Sequence, residues 1–125
     1  MSELITFKGY VSGTGTYTLE SPAIRGSVDR IRVPKGCKLK VWAKRIAGEA
    51  AVVKIQFAPD ITVDSPSWQD LDVEQLASPG EIVLEKRRPV VVNGYTGKEG
   101  IQIVRASGSG DSWIDIEVEF VCEEK

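Results

Sequence analysis

The chain has 125 residues, with 16 Lys and Arg against 18 Asp and Glu for a formal net charge of −2. That length suits one domain spanning residues 1–125, large enough to bury a core without a metal or a disulfide scaffold. So small a net charge gives no general pull on nucleic acid or an anionic membrane, and the absence of His excludes Ser-His-Asp triads, Cys-His pairs and His-based zinc sites.

The apolar residues are of a particular kind. Fifteen Val and eleven Ile outnumber six Leu and eight Ala. β-Branched side chains pack well on a pleated surface, whereas Leu and Ala favour helices. In chain order, Met1 to Lys8 carries an early acidic residue and no apolar block before a small-residue cleavage site. It does not read as a secretory signal, so the chain is expected to be made in the cytoplasm. No run reaches the length of a transmembrane helix.

Strand-like segments follow at 3–11, 16–20, 27–33, 37–46, 51–58, 81–86, 89–93, 100–106 and 112–122. They are separated by turn-forming runs such as Ser12-Gly13-Thr14-Gly15, Pro34-Lys35-Gly36 and Ser107-Gly108-Ser109-Gly110-Asp111. About one turn of helix is predicted within Ser67 to Ala77, ended by Ser78-Pro79-Gly80. The expected fold class is all-β: a single-domain antiparallel β-sandwich, jelly-roll-like, with eight or nine short strands.

Two strands are the most explicit. Ile114, Ile116, Val118, Phe120 and Cys122 alternate with Trp113, Asp115, Glu117 and Glu119, and Cys37, Leu39, Val41 and Ala43 alternate with Lys38, Lys40, Trp42 and Lys44. In each the apolar set faces inward. Antiparallel pairing with residue numbers summing to 159 sets Lys40 opposite Glu119, Lys44 opposite Asp115 and Cys37 beside Cys122. Opposite charges across a ladder contribute about 0.2–1 kcal/mol each. The alternative is two separately solvated faces, and the sequence leaves open whether the cysteines are bonded.

The search for chemistry yields little. Asp60, Asp64, Asp70 and Asp72 supply oxygens near one another in sequence but without an EF-hand register, and Asp is a common turn residue. The Gly-rich runs neither open a helix nor carry a P-loop Lys. Arg25, Arg30, Arg32 and Lys35, with Lys86-Arg87-Arg88, form basic clusters in a chain whose balance argues against nucleic acid. No catalytic, metal or cofactor-binding set emerges, and no cofactor is expected. The residues left over are aromatic: Trp42 and Trp113 on polar strand faces, Trp68 in a loop, and Tyr95. Exposed Trp calls for a cover, which is a loop of the same chain, another subunit or a stacked ligand such as a sugar ring.

The stretch Val53-Lys54-Ile55-Gln56-Phe57-Ala58-Pro59-Asp60, followed by Ser67-Trp68-Gln69-Asp70-Leu71, resembles a pattern of β-sandwich modules. Such modules occur in carbohydrate-binding domains and in tailed-phage or viral structural proteins. As a small, His-free β domain with mixed surface charge, the whole chain also resembles capsid-decorating or minor virion proteins. A single Asn, Asn93, a single Met, Met1, and no His fit a thermophilic source. The resemblance implies a structural protein working as a homo-oligomer or in a capsid lattice, located on the virion, with no membrane contact. Its N-terminal segment is expected to be free to reach a neighbouring subunit. The alternative it implies is a carbohydrate- or small-ligand-binding module.

Overall fold

The Val and Ile bias is realised as strand in a computed structural model that describes residues 2–48, 51–77 and 90–123. The strands are β1 (Ser2–Ser12), β2 (Gly15–Thr16), β3 (Thr18–Glu20), β4 (Ser27–Val28), β5 (Ile31–Arg32), β6 (Cys37–Gly48), β7 (Ala51–Ala58), β8 (Gln69–Ala77), β9 (Val90–Asn93), β10 (Gly100–Ser107) and β11 (Asp111–Cys122). Sheet A has the order β4-β3-β1-β11-β6-β9; sheet B has the order β2-β10-β7-β8, with β5 also on β10. Every pairing is antiparallel. The chain's first and last long strands pair at the centre of sheet A while the chain between them passes back and forth between the two sheets. With β1-β11-β6-β9 facing β2-β10-β7-β8, this is the jelly-roll arrangement of a two-sheet sandwich.

Inward side chains of both sheets form one core, including Phe7, Tyr17, Leu19, Leu39, Val41, Ile55, Ile101, Ile103, Ile114, Ile116 and Val118. The short segment expected at 16–20 is divided at Tyr17, whose N–H donates to the Ile103 carbonyl (2.9 Å) as the chain passes from sheet B to sheet A. Likewise the strand expected over 27–33 is two pieces, one in each sheet.

Three expectations need correction. The helical turn within Ser67–Ala77 is instead strand β8, paired with β7 through Lys54–Val73 and Gln56–Asp70. Its acidic residues are poor strand formers, but an open edge of β7 offers a ladder that one isolated helical turn lacks. Second, the N-terminal segment is not free: Ser2 to Ser12 pair along β11 from Val121 to Asp111. Third, the 159 register holds from Cys37–Cys122 to Ala43–Ile116, then shifts by one at a bulge, so Arg45 rather than Lys44 stands opposite Asp115. The extra residue in one strand is what a bulge supplies. The segment expected at 81–86 lies outside the described residues, as do Lys86, Arg87 and Arg88.

Candidate interaction surface

Alternation along β1, β11 and β6 sends one set of side chains outward from sheet A, and the register fixes their neighbours. Thr18, Tyr10 and Trp113 succeed one another across three strands; Glu20, Lys8 and Asp115 do so across the same three, the charge changing sign at each step. Next come Thr6, Glu117 and Trp42, then Leu4, Glu119, Lys40 and Val91. Among the described residues seven large hydrophobics are exposed, and four of them, Leu4 (58%), Tyr10, Val91 and Trp113 (47%), stand on this face. Trp42 joins them half-buried. Most of the exposed apolar groups thus share one face, Tyr10 beside Trp113 at one end and Leu4 and Val91 at either side of a row three pairs away, with charges between them.

At one end of the face the Tyr10 and Trp113 rings lie 5.5 Å apart, tilted by 45°. The Tyr10 hydroxyl donates to Asp111 Oδ1 at 2.8 Å, and that bond raises its pKa. Beneath this end Arg105 is fully buried. Its Nη1 donates to the carbonyls of Gly13 (3.2 Å) and Gly110 (2.7 Å), and its Nη2 to that of Ser109 (3.0 Å). The two Gly-rich loops thus turn carbonyls toward a cation instead of N–H groups toward a phosphate. Tyr17 and Ser112, also buried, share a 2.7 Å hydroxyl bond; burial is the main cause of the raised Tyr17 pKa. The signal for Arg105 was present in the sequence: it continues the inward series Ile101, Ile103.

The opposite end is closed by the Cys37–Cys122 disulfide (S–S 2.04 Å). Beside it the loop 94–99 carries Tyr95, 74% exposed. A buried Glu99 carboxylate organises that loop, accepting from the N–H groups of Tyr95 (2.9 Å), Thr96 (3.2 Å) and Gly97 (3.1 Å) and from the Thr96 hydroxyl (3.0 Å). Burial by itself would raise the Glu99 pKa, but the backbone donors and the Thr96 hydroxyl overcome it and bring it down to about 2.

The four aromatics singled out in the sequence do not converge. Trp113 and Trp42 share the outer face of sheet A. Trp68 lies in the β7–β8 loop with the Arg30 guanidinium 5.6 Å over its ring, so its cover comes from the same chain. Tyr95 stands at the disulfide end, about 30 Å along β11 from Trp113 at the usual strand rise. The loop carboxylates are also dispersed: Asp60 accepts from the Thr62 N–H and hydroxyl, whereas Asp70 accepts from Lys54 and Gln56.

No protein-family model and no curated protein matches the chain. Among solved structures, a chain described as "Cyanophage Pam1 capsid asymmetric unit" is similar with a TM-score of 0.45 and 14% identity, covering 98% of this chain and 86% of that one. At that level of likeness nothing is carried over, and the functional reading rests on the surface of this molecule.

Proposed function

We propose that this chain is a non-enzymatic structural protein, one domain over residues 1–125, that acts through protein–protein contacts as a homo-oligomer. Its proposed setting is a capsid lattice, where it serves as an accessory or decorating subunit on the virion. The observation that carries the reading is the gathering of Leu4, Tyr10, Val91 and Trp113 on the outer face of sheet A. Long strands of eleven and twelve residues make that face broad. With a rise of about 3.4 Å per residue and a strand spacing of about 4.8 Å, β1, β11, β6 and the short β9 project to roughly 640 Å². A specific interface takes about 800 Å² from each partner. The alternating charges between the apolar groups give orientation more than affinity.

The reading also accounts for the buried polar groups. Arg105 and Glu99 hold loops, Tyr17 and Ser112 bond each other, and Ser21 Oγ accepts the Ala23 N–H at 3.2 Å. Each is engaged in architecture.

Sedimentation equilibrium of the wild type and of a Leu4→Lys/Trp113→Lys double variant tests the proposal. The wild type is expected to self-associate, and the double variant to dissociate at least about 100-fold more readily, equivalent to about 2.7 kcal/mol, with unchanged thermal stability. A wild type that stays monomeric throughout the accessible concentration range overturns the homo-oligomer.

A further inference from the structure

At the disulfide end of sheet A, a cleft of about 710 Å³ is lined by Lys35, Lys38, Asn93, Tyr95, Val121 and Glu123, with the Cys37–Cys122 bridge in its wall. Small-ligand clefts occupy roughly 300–1,000 Å³ and combine an apolar surface with a few converging polar groups. Here Tyr95 and Val121 supply the apolar surface. The polar groups are two ammonium donors, an amide that both donates and accepts, and one carboxylate.

Exposure alone would not single out Tyr95; the rigidity of its support does. The buried Glu99 carboxylate clamps the backbone at Tyr95, Thr96 and Gly97. On the other side Gly36 N–H donates to the Gly94 carbonyl (2.9 Å), Gly94 N–H to the Cys37 carbonyl (2.8 Å), and Glu123 N–H to the Gly36 carbonyl (3.2 Å). The Gly94 backbone lies so close to Pro34 that an added Cβ would fall 2.1 Å from the Pro34 carbonyl oxygen. Such a frame fixes the backbone that carries the ring before anything binds, which reduces the ordering cost of association.

We propose that this cleft binds an acidic sugar: a pyranose whose apolar face lies on Tyr95, whose hydroxyls bond Asn93 and Glu123, and whose carboxylate meets Lys35 and Lys38. Among the described residues, two lysines against one glutamate give the lining a local positive balance in a chain of net charge −2. Val121, Lys38 and Asn93 form the row next to Leu4 and Val91 on the outer face of sheet A, whereas Tyr95 and Lys35 lie beyond the sheet. A titration that reads sugar binding directly leaves Leu4 and Trp113 unchanged, so its failure and that of the assembly reading are distinguishable.

The experiment is an amide-resolved NMR titration of the full chain with a hyaluronan tetrasaccharide, a neutral chitotetraose and an acidic Glu-rich peptide. The uronate sugar is expected to shift amides at Lys38, Asn93, Tyr95 and Glu123 selectively. Tyr95→Ala is expected to weaken it about 10-fold, and Lys35→Gln/Lys38→Gln to abolish its advantage over chitotetraose. No shift at millimolar sugar, binding undiminished in Tyr95→Ala, equal binding of chitotetraose by the wild type, or equal binding of the peptide overturns the proposal. Retention of the native amide spectrum in the two variants separates lost binding from lost folding.

Discussion

The two outer faces of the sandwich obey the same pleat and solve opposite problems. On sheet B a set of described polar side chains closes upon itself across four strands. Thr16 Oγ1 donates to Gln102 (3.4 Å), Gln102 Nε2 to Gln56 (2.8 Å), and Gln56 Nε2 to Asp70 Oδ1 (2.8 Å), while Lys54 Nζ donates to Asp70 Oδ2 (2.9 Å). On sheet A the corresponding positions present Leu4, Tyr10, Val91 and Trp113 between charges. A face whose polar groups are mutually satisfied asks nothing of a neighbour. One that leaves aromatic and aliphatic groups in water gains when a neighbour covers them. Fold alone does not distinguish these faces; the outward half of the alternation does.

If this division is real, disturbing internally satisfied polar groups costs folding stability and leaves self-association through sheet A untouched. The largest such effect is expected at Glu99, the buried counterpart of the sheet B ladder. A Gln there keeps the shape but has a single acceptor oxygen for the several donors that converge on the carboxylate. Glu99→Gln is expected to lower unfolding free energy by about 2–4 kcal/mol in urea titration. The sign with pH follows from the lowered pKa of about 2 against an ordinary 4.5. The stabilisation is complete above pH 4.5 and fades as pH falls toward 2, and the variant lacks that acid dependence. Altered sedimentation of Glu99→Gln at neutral pH would break the separation between folding and association.

A smaller effect is expected on the ladder itself. Gln56→Ala removes the link between Gln102 and Asp70 at once, and about 1–2 kcal/mol of stability is expected to go with it. Its self-association constant should equal that of the wild type. Equal damage to assembly from Gln56→Ala and from Trp113→Lys would mean that the faces are not functionally different.

How much of this was legible in the sequence depends on range. Period-two alternation in β6 and β11 reads their inward faces and the outward Trp42 and Trp113, and the 159 register sets Lys40 opposite Glu119 and Cys37 beside Cys122; whether those cysteines are bonded is legible only in the structure. It did not give the bulge that exchanges Lys44 for Arg45, because a bulge changes the register without altering either strand's composition. Asp70, Leu71, Val73, Glu74, Gln75 and Leu76 read locally as about one helical turn; the open edge of β7, invisible in local sequence, makes this stretch strand β8. The acidic residues of the 58–72 stretch looked like a possible cation site, yet in space Asp60 and Asp70 serve different partners. Glu99 was missed altogether. A carboxylate three residues after the exposed Thr96 gives no periodic signal, and its value comes from a loop curled around it.

The smallest expected effect is also the most local test of the ladder. Asp70 and Asp60 both have lowered pKa values, but for different reasons. At Asp70 the principal cause is the bond from Gln56, followed by that from Lys54; at Asp60 it is the hydroxyl and then the N–H of Thr62. A depressed carboxylate stabilises the fold above its ordinary pKa and loses that contribution as pH falls through its folded value. Following both side-chain carboxyl carbons by NMR in Gln56→Ala should show the Asp70 midpoint moving up toward the ordinary range while that of Asp60 stays where it is. Movement of both would indicate a general loosening of sheet B, and movement of neither would mean that Lys54 alone holds Asp70 in place. Only the first outcome makes Gln102, Gln56, Asp70 and Lys54 a connected ladder on the outer face of sheet B, closed to outside partners by the bonds these groups already make.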